Sequence, residues 1–343
     1  MRDFARHKML GSFSGRASHS SPQCSDYPQE GRGATGWAAR PLQHCRVDTE
    51  LIALFDCRGR VASYSDLLTV TTRRRLRTLV ARGDVVHLWR GIYAPAPVSV
   101  QQLLAGAALL YGCTVTACLG TAAQLYGFDT EDVSQLHILD ANLGHPRGNA
   151  KLRVHQRLGA PVVMVDGQRA SAPAWTAVEV ARSLSRPRAL ATLDAALRSG
   201  VCTESDLRNA VLHQAGRRGI AAVRPLVDIA DGRAQSPMES ETRLVLLDAG
   251  LLGLEPQYPV LDDSGMPRFQ VDLAYPDAKI AIEYDGDDYH GGPLAVRRDK
   301  ARIAWLQDHG WLVIVATADD VRRWPQLFVA RVAKHLAARR AVA

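Results

Sequence analysis

The chain has 343 residues and a mass of 37.4 kDa, a length that predicts two or three domains. Hydrophobic residues make up 47% and charged residues 22%, which excludes wholesale disorder, a collagen-like fibre and a disulfide-stapled mini-protein. With 42 basic and 35 acidic residues the net charge is +7 and the pI about 9.2, a balance that suits an anionic partner, above all nucleic acid. That charge is uneven. Ser236–Ala343 carries 13 basic and 16 acidic residues, so the positive excess lies in the first two thirds and the carboxylates gather in the last.

The six cysteines are irregularly spaced and contain no CxxC, which predicts reduced thiols in a cytoplasmic protein. No apolar segment with a small-residue cleavage site is read at the N-terminus. Val98–Phe128 is uncharged, and Leu103–Gly120 is long enough to span a bilayer. Gln101, Gln102, Thr114, Thr116, Thr121, Gln124 and four glycines interrupt that stretch. Two packed helices of a soluble core are expected there, and no membrane contact.

Residues 1–45 are rich in Ser, Gly, Arg, Gln and Pro without periodicity and are expected to be a disordered extension. Residues 46–98 read as a winged helix-turn-helix. Leu51, Ile52, Leu54 and Phe55 have helical spacing, and Tyr64–Leu68 makes a short second helix. Thr71 or Thr72 caps a third helix, Arg73–Arg82, which buries Leu76, Leu79 and Val80 and ends at Gly83. Its other side holds Arg73, Arg74 and Arg77. Val85–Trp89 and Ile92–Ala94 flank Arg90-Gly91 as a hairpin wing. In such a module the third helix enters the major groove and the wing touches phosphates, so these four arginines are the candidate DNA contacts.

Residues 99–235 form an α/β middle region. Strands are predicted at Leu136–Leu139, Leu152–His155 and Val162–Val165, the last ending in an Asp166-Gly167 turn. Helices follow at Ala174–Leu184, Ala189–Ser199, Ser205–His213 and Ile220–Ala230. No catalytic constellation is visible, and His137, His145 and His155 are too scattered in sequence to count as metal ligands. The segments Gly83–Tyr93, Thr121–Gly127 and Ala174–Leu197 resemble the AbiEi-like antitoxins of type IV toxin–antitoxin systems. The resemblance covers residues 46–200. It implies DNA binding, autoregulation and a cognate toxin or other partner.

Residues 236–343 carry the most specific pattern. The alternating runs Phe269–Tyr275 and Ile280–Gly286 flank a Pro-Asp-Ala turn and predict a hairpin with Asp277 and Ala278 at its tip. In that register Tyr275 faces Ile280, Leu273 faces Ile282 and Val271 faces Tyr284, one continuous apolar face. The other face then sets Asp272 opposite Glu283, with Asp285 two residues on. Like charges in direct opposition destabilise a sheet. Either a divalent cation such as Mg²⁺ or Mn²⁺ removes the conflict, or the face is exposed and paired with Arg268 or Arg297. Upstream, Ser236 opens a helix to Gly250 with Glu239 and Glu241 about 200° apart, so only one of them can join the cluster. Downstream come His290, a helix through Arg302 to Gly310, the strand Trp311–Ala316 and a last helix.

Asp272, the strand end Ile282–Gly286, His290, Arg298-Asp299 and Leu306–Val313 resemble the very-short-patch-repair-like endonucleases of the PD-(D/E)XK superfamily. The resemblance implies a restriction-endonuclease-like α/β domain and selects Glu239 over Glu241. It also implies Asp272, Glu283 and Glu239 as metal ligands, with the metal activating water and His290 protonating the leaving oxygen or orienting water. The superfamily's usual lysine is replaced by Asp285, which fits a further ligand, a base, or the mark of a non-cleaving site. The whole chain is thus expected to be an α/β multidomain protein. Two functions remain in view. One is a metal-dependent DNA endonuclease aimed by the winged helix, favoured by the intact carboxylates. The other is a DNA-binding regulator or antitoxin whose nuclease fold no longer cleaves.

Overall fold

Helix caps set the limits of the first elements. The Ser63 hydroxyl accepts from the Asp66 amide and the Asp66 carboxylate accepts from the Ser63 amide, a reciprocal capping box that satisfies two otherwise orphaned donors. The Thr72 hydroxyl caps the next helix, which ends at Gly83 in the left-handed conformation, φ 77°. The computed structural model of the protein describes residues 49–341, apart from 58, 129–130, 132–134, 141–150, 157–158 and 287–292, and apart from the side chains of 293–296. The expected disordered extension, 1–45, and His290 lie outside the described residues.

The N-terminal elements are α1 (Thr49–Cys57), β1 (Ala62–Ser63), α2 (Tyr64–Val70), α3 (Arg73–Arg82), β2 (Val85–Trp89) and β3 (Ile92–Pro95). The strands form a sheet in the order β1-β3-β2. β2 and β3 make a hairpin around Arg90-Gly91 with a register shift between His87 and Trp89. Leu51, Phe55, Leu67, Leu76, Leu79 and Val85 bury one small core, which holds the helices against the hairpin.

The middle of the chain holds α4 (Val100–Tyr111), β4 (Thr116–Ala117), α5 (Leu119–Tyr126), β5 (Leu136–Leu139), β6 (Leu152–His155), β7 (Val162–Val165) and β8 (Gln168–Ser171). The helices α6 (Pro173–Ala181), α7 (Arg186–Arg198), α8 (Glu204–His213) and α9 (Ile220–Val227) follow. The uncharged stretch Val98–Phe128 contains two helices, as its polar interruptions predict, with β4 between them. No helix among the described residues is long and apolar enough to cross a membrane. The sheet order is β6-β5-β4-β8-β7. β4 and β8 escape the sequence reading, β4 because it spans two residues. β8 is the return arm of the Asp166-Gly167 turn: Val165 pairs with Gln168, and both turn residues have positive φ, 45° and 75°. This is the backbone that a two-residue hairpin loop demands.

The C-terminal elements are α10 (Pro237–Asp248), β9 (Glu255–Leu261), β10 (Pro267–Tyr275), β11 (Ile280–Tyr284), α11 (Pro293–Asp308), β12 (Leu312–Ala316), α12 (Ala318–Arg322) and α13 (Pro325–Arg340). They build a sheet in the order β12-β11-β10-β9. β11 and β12 are parallel, so α11 is the crossover that parallel neighbours require. The β10–β11 register has Leu273 opposite Ile282, Ala274 opposite Ala281 and Tyr275 opposite Ile280. The turn is longer than two residues: Pro276–Ala278 forms a 3₁₀ turn and Lys279 takes a left-handed φ of 46°.

The apolar face is less continuous than expected. Leu273, Tyr275, Ile280 and Ile282 pack with Leu246, Phe328 and Val332 of α10 and α13. Val271 instead joins Ala274, Ala281 and Leu306 on the α11 side. The alternation therefore breaks at Asp272. Between the pairs Val271–Tyr258 and Leu273–Pro256 the facing strand carries Gln257 with φ 50°, and that left-handed residue disturbs the ladder.

Described residues from Val47 to Ala343 belong to one unit of the fold. α10 ties its parts together, packing on α7 and on β10, β11, α12 and α13.

Candidate functional site

α10 presents three buried charged side chains in its first two turns, and each has a different fate. Arg243 points to α7: its guanidinium donates to Asp194 Oδ2 at 2.7 Å and to the Ile229 carbonyl at 2.6 Å. Glu241 turns towards α12 and α7, where Arg322 donates to both its oxygens at 2.7 and 2.8 Å and Arg188 to one at 3.0 Å. Burial would raise the Glu241 carboxyl, but the two guanidiniums outweigh it and hold the group below its ordinary value.

Glu239 points the other way, into the C-terminal sheet. The Ser236 hydroxyl caps its amide at 3.2 Å, and its Oε2 accepts from the Gln235 amide at 2.9 Å and Gln257 Nε2 at 2.8 Å. Asp272 on β10 accepts from the Tyr284 amide at 2.9 Å. Glu283 on β11 is gripped by Arg302 of α11, with Nη–O distances of 2.7 and 3.2 Å. Arg302 also donates to the Gln270 carbonyl at 2.6 Å.

These three carboxylates feel one another. Burial pushes Glu239 up, and Asp272 adds to the rise. Burial likewise raises Asp272 despite the Tyr284 amide. Glu283 is driven to about 7, first by burial and then by Asp272 and Glu239, with Arg302 opposing. The cluster thus holds its protons more tightly than free carboxylates do.

The structure therefore brings Glu239, Asp272 and Glu283 together and leaves Glu241 out. Asp285 is exposed at the end of β11, its amide donating to the Ala316 carbonyl at 2.9 Å. It lines a cavity of about 400 Å³ with Glu283, Asp299, Lys300 and Arg302, floored by Leu306 and Val313. The cation that answers the cluster is Arg302. Arg268, one of the two arginines expected in that role, stacks on the Phe269 ring instead.

Sequence reasoning missed both Arg302 and Gln257. The only signal for Arg302 is its place three residues after Asp299 on a helix that crosses between β11 and β12. Gln257 gives none, because its role comes from a left-handed backbone. As they stand these residues do not fit a metal ion. Glu283 is occupied by Arg302, and no group of three or more His, Cys, Asp or Glu side chains among the described residues is placed to hold one.

A second candidate surface lies on α3. Arg73, Arg74 and Arg77 are exposed, as is Arg90 at the hairpin tip. Leu76 and Leu79 bury the opposite side of the helix, so packing turns the arginines outward. None of the four forms an ion pair with a described residue.

The chain shares 50% identity over 265 residues with an uncharacterized protein of Mycobacterium tuberculosis, MT2308 in strain CDC 1551 and Rv2248 in strain H37Rv. The shared region spans 77% of this chain and 97% of the relative. Residues 115–229 match the family described as AbiEi antitoxin C-terminal domain. This segment runs from just before β4 to the end of α9.

Proposed function

The chain belongs to the family of these mycobacterial proteins, and from that premise we propose that it is a DNA-binding regulator of the antitoxin kind. The observation that carries the reading is the α3 face: three exposed arginines, none ion-paired to a described residue, on a helix followed by a hairpin with a fourth at its tip, next in the chain to the AbiEi-like segment. Residues 46–98 act as a winged helix-turn-helix, α3 in the major groove and Arg90 on the phosphate backbone. The middle region, 99–235, supplies the antitoxin-like part, and its partner is a cognate toxin. Residues 236–343 are a restriction-endonuclease-like α/β domain in which Arg302 does the neutralising that a metal would do in a nuclease.

The test is a binding titration with duplex DNA from upstream of the protein's own gene, over a range of salt. Changing Arg73, Arg74 and Arg77 together to Ala is expected to weaken binding and to reduce the log–log salt slope by about 0.9 for each phosphate that is no longer neutralised. An unchanged affinity and slope would remove the α3 reading.

A second reading rests on one observation, the convergence of Glu239, Asp272 and Glu283. In it the chain is an endonuclease that uses Mg²⁺ or Mn²⁺. This requires Arg302 to leave Glu283 when DNA and metal arrive, and His290 and Asp285 to complete the site. Metal-dependent cutting of plasmid, mismatched duplex or single-stranded DNA that disappears in Asp272→Ala/Glu283→Ala would establish it. DNA bound but never cut would favour the regulator.

A further inference from the structure

The three histidines of the middle region are far apart in sequence, and the fold changes that for two of them. β5 and β6 are parallel neighbours, with His137 opposite Arg153 and Leu139 opposite His155. Leu136, Ile138 and Leu152 face the main core, with Val154 packed against it. Strand alternation therefore sends His137 and His155 to the other face of the sheet. There their ring centroids lie 5.0 Å apart with the planes inclined by 34°. His145 lies outside the described residues.

The strands fix these two positions. The His137 amide donates to Thr121 Oγ1 at 2.8 Å and its carbonyl accepts from the Cys118 amide at 3.1 Å. The His155 carbonyl accepts from the Asp140 amide at 2.9 Å. What remains unexplained is His137 Nδ1, which is buried and has no hydrogen-bond partner among the described residues. A buried polar atom without a partner is rare in a folded protein and calls for a reason.

We propose that His137 and His155 form a binding site for a borderline transition-metal ion, Zn²⁺ being the type, with His137 Nδ1 as one ligand. A tetrahedral ion with Zn–N bonds near 2.0–2.1 Å places two co-ligating imidazole centroids about 5 Å apart, which is the spacing found. Imidazole nitrogens suit Zn²⁺, Ni²⁺ and Cu²⁺, whereas Mg²⁺ prefers oxygen. The ligand must be neutral, and burial together with the neighbouring Arg153 lowers the His137 pKa, which favours the neutral ring. Arg153 repels a cation, but its side chain is exposed and solvent weakens that repulsion. Two protein ligands leave at least two positions for water or a bound group. β6 is the edge strand of its sheet, so an ion held across β5 and β6 would staple the edge to its neighbour.

The inference is independent of both functional readings. The full-length protein, without an affinity tag, is titrated with Zn²⁺ at pH 7.5 by calorimetry and by thermal unfolding. One binding event is expected, with a rise in the unfolding midpoint. His137→Gln and His155→Gln should each weaken it at least tenfold, while His335→Gln and Glu283→Gln leave it unchanged. In the unaltered protein, Zn²⁺ should shift the ring-proton resonances of both histidines together, which keeps the test open if a variant folds poorly. Absence of Zn²⁺ binding, or binding that survives both substitutions or is lost in Glu283→Gln, would overturn the site and leave the pair as packing.

Discussion

Within the first two turns of α10 buried charge is handled in opposite ways. At Arg243 and Glu241 of α10 the acids and bases match: Arg243 meets Asp194, and Glu241 meets Arg322 and Arg188. At Glu239 they do not. Among the described residues, three carboxylates share a single close guanidinium, that of Arg302. Matched burial locks α10 to α7 and α12, whereas the surplus of negative charge one turn away adds no stability of its own. The same two turns anchor the fold through Glu241 and Arg243 and present unbalanced charge at Glu239.

The largest effect should come from breaking the matched charges. Arg243 and Asp194 have side chains only 5% and 0% exposed, and Arg243→Ala leaves a buried carboxylate without its cation. Chemical denaturation should show a loss of ~3–5 kcal/mol. The double change Asp194→Asn/Arg243→Met should recover a large part of it, because neither charge then remains. A loss below ~1 kcal/mol would contradict the claim that this pair holds α10 to α7.

The matched and the unmatched carboxylates should also answer pH with opposite signs. Glu283 is raised from 4.5 to about 7, so the folded state holds its proton more tightly than the unfolded chain. Its stabilising effect is full below about pH 4.5 and is lost as pH rises through 7, an effect of up to ~3 kcal/mol. Glu241 is lowered, so its contribution is present above its ordinary value and is lost on acidification. Between pH 5 and 8 the unfolding free energy should therefore fall as pH rises, and Glu283→Gln should flatten that slope. A slope unchanged in Glu283→Gln would place the unbalanced charge elsewhere.

The same contrast decides how much of the molecule can be read from sequence. The β10–β11 register is legible because a period-two pattern tolerates no slip: Leu273, Tyr275, Ile280 and Ile282 need one buried side. The α3 arginine face is legible for the analogous helical reason. Arg302 is not, since α11 is a long helix with several basic residues and only its three-dimensional crossing selects one. Gln257 is hidden for a different cause, a left-handed backbone at a non-glycine residue that no composition rule announces. The pairing of His137 with His155 depends on β5 and β6 being parallel neighbours, a long-range fact absent from local spacing.

The smallest expected effect sharpens the comparison most. Arg302 is 26% exposed and Glu283 17%, so Arg302→Ala should cost about 2 kcal/mol at pH 8 through the lost charged hydrogen bonds. The cost should shrink towards pH 5, where Glu283, raised to about 7, takes up its proton and needs no cation. If Arg302 substitutes for a metal, its removal exposes three carboxylates to solution, and oxygen ligands suit Mn²⁺. Mn²⁺ should then raise the unfolding midpoint of Arg302→Ala at pH 8 and leave that of the unaltered protein in place. Equal stabilisation of both proteins would show that Arg302 yields to metal readily, which moves the balance to the endonuclease. No response in Arg302→Ala, with the fold intact by circular dichroism, would mean that Glu239, Asp272 and Glu283 do not converge on a cation site even when freed. The regulator would then stand with its C-terminal charge surplus serving another partner.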